Sequence, residues 1–82
     1  MDYAIYKTIN SKHPRVIYRF TQEACNHKAK RAAIEKLNEM WLRVLDHPTL
    51  YRTATGEKEE FSYDHMTSTN TSEHIRFYIA KL

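Results

Sequence analysis

The sequence predicts an α+β fold: one long amphipathic helix on one face of a single antiparallel sheet of four to five strands. Three observations predict it. Two short runs rich in β-branched and aromatic residues lead the chain, one stretch of helical periodicity fills its middle, and alternating runs close it. The order is β-β-α-β-β-β, and connections of hairpin length make sequential strands antiparallel. At 82 residues, with no repeat or linker, the chain is expected to be one domain, 1–82.

From Tyr3 to Ile9 most positions are β-branched or aromatic, and from Arg15 to Phe20 the alternation places Val16, Tyr18 and Phe20 on one face. The polar Asn10-Ser11-Lys12-His13-Pro14 between them reads as a hairpin turn closed by proline. Thr21 stands at an N-cap position, with Glu23 in the first turn near the positive end of the helix dipole. The helix is expected from Gln22 to about Leu45, stopped by Asp46-His47-Pro48 because proline disfavours helical geometry in the residue before it. Ala29, Ala33, Leu37, Met40, Trp41 and Val44 fall in one arc, with Lys28, Arg31, Glu35 and Glu39 opposite. Such a helix spans roughly 36 Å, longer than a strand of six or seven residues at about 3.3 Å each, so its basic first turns should overhang the sheet or bend away. Thr49 to Thr55 reads as a third strand, Gly56-Glu57-Lys58 as a turn and Glu59 to Met66 as a fourth strand. Thr67 to Ser72 reads as a polar loop. In the last run, Glu73 to Leu82, Ile75, Phe77 and Ile79 face one way and His74, Arg76 and Tyr78 the other.

Composition narrows the function classes. Leu, Ile, Val and Phe number 16, so the core is small, while six Tyr and one Trp add bulk that argues against disorder. The lone glycine, Gly56, excludes glycine-rich phosphate loops and dinucleotide fingerprints. The single cysteine, Cys25, excludes an intramolecular disulfide and any zinc site using two thiolates of one chain. Met1-Asp2-Tyr3-Ala4-Ile5-Tyr6-Lys7 does not read as a secretory leader, and no apolar run matches a membrane span. The expectation is a soluble cytoplasmic protein with no cofactor, no metal and no membrane partner. The glycosylation sequon Asn70-Thr71-Ser72 carries no weight without a secretory signal.

Charge is uneven along the chain. Residues 1–31 carry seven bases and two acids, a net +5, whereas residues 32–82 carry six bases and eight acids. This suggests a basic surface for an anionic partner, against the plain alternative of a solvated surface. One helix covers only one face of a sheet, and the open face should hold Arg15, Ile17, Arg19, His74, Arg76 and Tyr78, joined by Tyr6 and Tyr51. Arginine mixed with tyrosine suits protein interfaces and stacking platforms for single-stranded nucleic acid, as well as an ordinary solvent face. The binding residues expected are Arg15, Arg19, Lys28, Lys30, Arg31, Arg76 and Tyr78. Leu42, among polar residues on the outer helix face, is either an ordinary exposed leucine or an anchor for a partner or second copy.

Catalysis finds little purchase. Cys25 near the helix start has its potential base, His27, two residues away and thus on a different helix face. The five histidines, His13, His27, His47, His65 and His74, show no zinc-ligand spacing. Glu59 and Glu60 are adjacent in a strand and face apart, which is wrong for a shared acid/base site. A metal-free ribonuclease using His65 or His74 as base with Arg76 or Lys81 near phosphate is the remaining enzymatic reading.

In length and in its β-β-α-β-β-β order the whole chain resembles several small phage-encoded inhibitors of bacterial defence, the anti-CRISPR proteins among them. The likeness is of topology and size and carries no motif, so it assigns no residue. It implies a non-catalytic protein that docks on a nucleic-acid-processing nuclease complex, such as a CRISPR-Cas effector, within a bacterial host cell and blocks it. The partner expected is protein or ribonucleoprotein, with direct nucleic-acid binding and a homodimer as alternatives.

Overall fold

In the computed structural model, which describes residues 2–21, 28–46, 51–56, 59–68 and 71–82, the strands are β1 (Tyr3–Ile9), β2 (Lys12–Phe20), β3 (Tyr51–Gly56), β4 (Glu60–Ser68) and β5 (Thr71–Lys81). They form one antiparallel sheet in the order β2-β1-β5-β4-β3, and one helix, α1 (Ala29–Leu45), packs on it. The expected class and element order are those observed.

The core lies between α1 and the three central strands. Ile5, Phe61, Tyr63, Ile75 and Phe77 rise from the sheet to meet Leu37 and Val44, with Ile17, Phe20, Met40, Trp41 and Ile79 around them. Ala29 and Ala33 are also buried, which lets the first turns of α1 sit close to the strands. Phe61 and Phe77 are register partners on β4 and β5, and their rings stack at 5.0 Å between centroids. The inward arc read from the helix periodicity is the buried one.

Three boundaries differ from expectation. The first turn is tighter: Asn10 and Ser11 alone connect the strands, both with positive φ (53° and 59°), and Ile9 pairs with Lys12 across them. Two positive φ values mark the mirror-image turn whose twist matches a hairpin. The helix begins later, because Lys28, with φ −119° and ψ 27°, leaves helical geometry and offers no side-chain cap. Gln22, Glu23, Cys25 and His27 lie outside the described residues, as do His47, Leu50, Glu57 and Lys58. Within the expected loop, Thr67 and Ser68 end β4 and Thr71 and Ser72 begin β5, with Ser68 paired to Thr71, because threonine tolerates extended backbone; Thr69 and Asn70 lie outside the described residues. The expected overhang of the first helical turns falls largely on residues 22–27, outside the described residues. The 17 described residues of α1 span roughly 26 Å and the 11 residues of β5 roughly 36 Å.

Two bulges in β2 decide which side chains face where. Between Ile5 and Tyr6 of β1 the β2 partners jump from Tyr18 to Val16, inserting Ile17. The alternation therefore flips: Tyr18 and Phe20 lie on the helix side, Ile17 joins them against the core, and Val16 passes to the open face opposite Tyr6. A second bulge sets Thr8 against His13 and Pro14, with His13 at φ 45°, and β2 is an edge strand, where a proline costs no ladder bond.

Candidate functional site

The open face is built from the even positions of β1, β4 and β5. Tyr6 and Tyr78 are register partners and their rings stack nearly parallel, 5.4 Å between centroids and 14° between planes. The Arg76 guanidinium lies 4.5 Å from the centre of the Tyr78 ring, and its Nε donates a 2.7 Å hydrogen bond to Glu60 Oε2. Farther along, His74 Nδ1 and Asp64 Oδ1 are 3.0 Å apart, and Ser62 and Thr55 share a 3.1 Å hydroxyl contact. Ala4 and Thr8 are buried although they face away from the helix, since both are short side chains in β1 flanked by longer neighbours. The face is thus a shallow aromatic ridge bordered by hydrogen-bonded polar pairs.

The hairpin end explains how this face keeps its register. Asn10 N–H donates to the His74 carbonyl at 2.7 Å, and the His74 N–H donates back to Asn10 Oδ1 at 2.8 Å. The turn asparagine thereby extends the β1–β5 ladder by one side-chain link and fixes His74 beside Asp64.

The structure splits the seven expected binding residues among three places. Arg76 and Tyr78 share the open face, and Arg19, in register with Ala4, lies at the opposite end of that face from His74. Arg15 is a correction: the bulge turns it to the helix side, where it is in register with Lys7. Ile17 is corrected likewise, and the side chain of Tyr51 lies outside the described residues. Lys28, Lys30 and Arg31 cluster at the start of α1, where cations oppose the helix dipole. Lys30 Nζ reaches Glu59 Oε1 at 2.9 Å, and Arg31 lies 3.4 Å from Glu35. The hydrogen bond and charge of Glu59 raise the Lys30 ammonium above the ordinary lysine pKa. Lys28 and Arg31 line a shallow hollow with Ala32 and Glu35.

Of the residues weighed for catalysis, His74 and Arg76 share the open face, two residues apart on β5. His65 is in register with Glu73 and His74 with Asp64, so the two histidines belong to opposite faces of the sheet. Lys81, in register with Tyr3, is at the far end of β5 from His74. Among the described residues no group of three His, Cys, Asp or Glu side chains is arranged to hold a metal ion. No helix among them is long and apolar enough to cross a membrane.

Sequence reasoning missed Glu60 and Asp64 as partners of Arg76 and His74, although the β4–β5 hairpin contained the signal: acids in one alternation opposite bases in the other.

No family model, curated protein or solved structure matches this chain.

Proposed function

We propose that this chain is a non-catalytic binding protein whose open sheet face docks on a protein surface. The observation that carries this is the pairing within the face: Arg76 is ion-paired to Glu60, and His74 is hydrogen-bonded to Asp64, around the Tyr6–Tyr78 stack. A track for nucleic-acid backbone needs cations left over for phosphates, because neutralising phosphates supplies most of that binding. A protein interface needs rigid aromatic and arginine anchors with their polar atoms already oriented, which is what an arginine clamped over a stacked tyrosine provides. The form of binding that suits so small a chain is occlusion, and the partner class proposed from its resemblance in size and topology is a nuclease complex that processes nucleic acid.

The test is retention of partners from a bacterial lysate at physiological salt by immobilised wild type, Tyr78→Ala, Arg76→Ala and Lys12→Glu. A partner held by wild type and Lys12→Glu but released by Tyr78→Ala and Arg76→Ala supports docking through this face. For a central anchor the loss is about 2 kcal/mol or more. A partner that Tyr78→Ala retains as firmly as wild type overturns it.

A further inference from the structure

On the helix side of the sheet, the hairpin end of β1 and β2 forms a half-open hollow of about 320 Å³ lined by Lys7, Ile9, Asn10, Lys12, His13 and Arg15, all but Lys7 exposed. Three of these residues are cations and none is an acid. Lys7, Lys12 and Arg15 take part in no ion pair among the described residues. The Lys7 ammonium lies 5.8 Å from the centre of the Phe77 ring. Glu73 is the next acid along this side of β5, but it is in register with His65 and does not line the cavity.

Lys7 and Arg15 are direct register partners, and like charges opposite each other destabilise a strand pair. Two features of β2 produce the arrangement: the Ile17 bulge turns Arg15 to this side, and the second bulge holds His13 at φ 45° beside it. Such a departure from local preference belongs at a site where something else offsets the charge. A phosphate monoester brings about −1.5 to −2 at neutral pH and three strong acceptor oxygens, against the single charge of a carboxylate. The cavity lies at the lower end of the range for small ligands, about 300–1,000 Å³, which is more than a bare oxyanion needs, and Ile9 supplies an apolar wall.

We infer that this cup binds a phosphate ester of nucleotide size, with Lys7, Lys12 and Arg15 around the phosphate and Ile9 against the organic part. The site is separate from the Tyr6–Tyr78 face and does not rest on the docking proposed for it. A free nucleotide and the phosphorylated end of an oligonucleotide present the same group.

Titration calorimetry at low salt tests this with four probes: adenosine monophosphate, a short oligothymidylate with a terminal phosphate, the same oligomer without it, and inorganic phosphate. Binding of either phosphorylated probe, without comparable binding of the unphosphorylated oligomer, is the expected result, and the tighter of the two names the source. Arg15→Gln and Lys12→Gln should each weaken that binding about tenfold, the worth of one charge-assisted hydrogen bond. Tyr78→Ala should leave it unchanged. Arg15→Gln should also melt at a higher temperature than wild type without ligand, because it removes the like-charge pair. Lys12→Gln, at the exposed turn, serves if Arg15→Gln misfolds. No binding of either phosphorylated probe, equal binding by both glutamine variants, or tighter binding of inorganic phosphate overturns the inference.

Discussion

The indole of Trp41 occupies the place where a side chain on Gly56 would begin: a Cβ at Gly56 would fall 2.7 Å from Trp41 Cε2 and 2.8 Å from Cζ2. The glycine is required for space, not for backbone freedom, since its φ is not positive. Its absence of side chain lets Trp41 lie flat over the end of β3 and reach Phe61, 5.4 Å away between ring centres. Gly56→Ala should therefore destabilise the fold by about 1–3 kcal/mol, an overpacking cost measurable by urea unfolding. In a Trp41→Leu background the same substitution should cost much less, and equal costs in both backgrounds would refute the contact.

Leu37 is the largest of the buried side chains of α1, at 2% exposure in the core cluster. Leu37→Ala should cost about 2–5 kcal/mol in unfolding free energy. Leu42, on the same helix but 55% exposed, should tolerate alanine within about 0.5 kcal/mol.

At the first turn Ser11 adopts φ 59°, a region that serine occupies at a cost and glycine freely. Ser11→Gly creates the favoured Asn-Gly pair and should raise stability by a few tenths to about 1 kcal/mol, with Ser11→Val lowering it. Asn10→Ala should lower it too, because it deletes the acceptor of the His74 N–H as well as the turn preference. Thermal melts of the three variants would rank them.

Glu59 holds Lys30 above its ordinary pKa, so the sign of the linkage follows directly. With the folded value raised, the pair's contribution is fully present below the ordinary lysine pKa and is lost as pH climbs through the raised value. Glu59→Gln should return the Lys30 titration, followed by NMR of its side chain, to the ordinary range. Both side chains are half exposed, so stability at neutral pH should barely move.

Much of the architecture was legible because hydrophobic period is a direct record of burial. Ala29, Ala33, Leu37 and Val44 repeat at helical spacing and are buried, and Ile75 and Phe77 alternate and are buried. What periodicity could not carry was a change of phase. A bulge adds one residue without any change in residue type, and Arg-Val-Ile-Tyr-Arg-Phe looks regular while Val16 and Ile17 exchange sides within it. The same shift moved Arg15 from the expected binding face to the cup. Composition was legible but incomplete: the basic residues of 1–31 read as one surface, yet they diverge to the hairpin, the helix start and the open face, since charge along a chain says nothing of direction.

The strand order has a further consequence. β1 and β5 lie side by side at the middle of the sheet, Tyr3 is in register with Lys81, and the Leu82 N–H donates to the Asp2 carbonyl at 3.0 Å. The first and last strands are thus neighbours, and the remainder of the chain is a loop thrown out from that shared seam. A short peptide joining residue 82 to residue 2 would turn the two outermost strands of the sequence into one more hairpin. A chain rejoined there and reopened between β4 and β5 would keep every ladder while making β5 the first strand synthesised, so order of synthesis and order in space are separable in this fold.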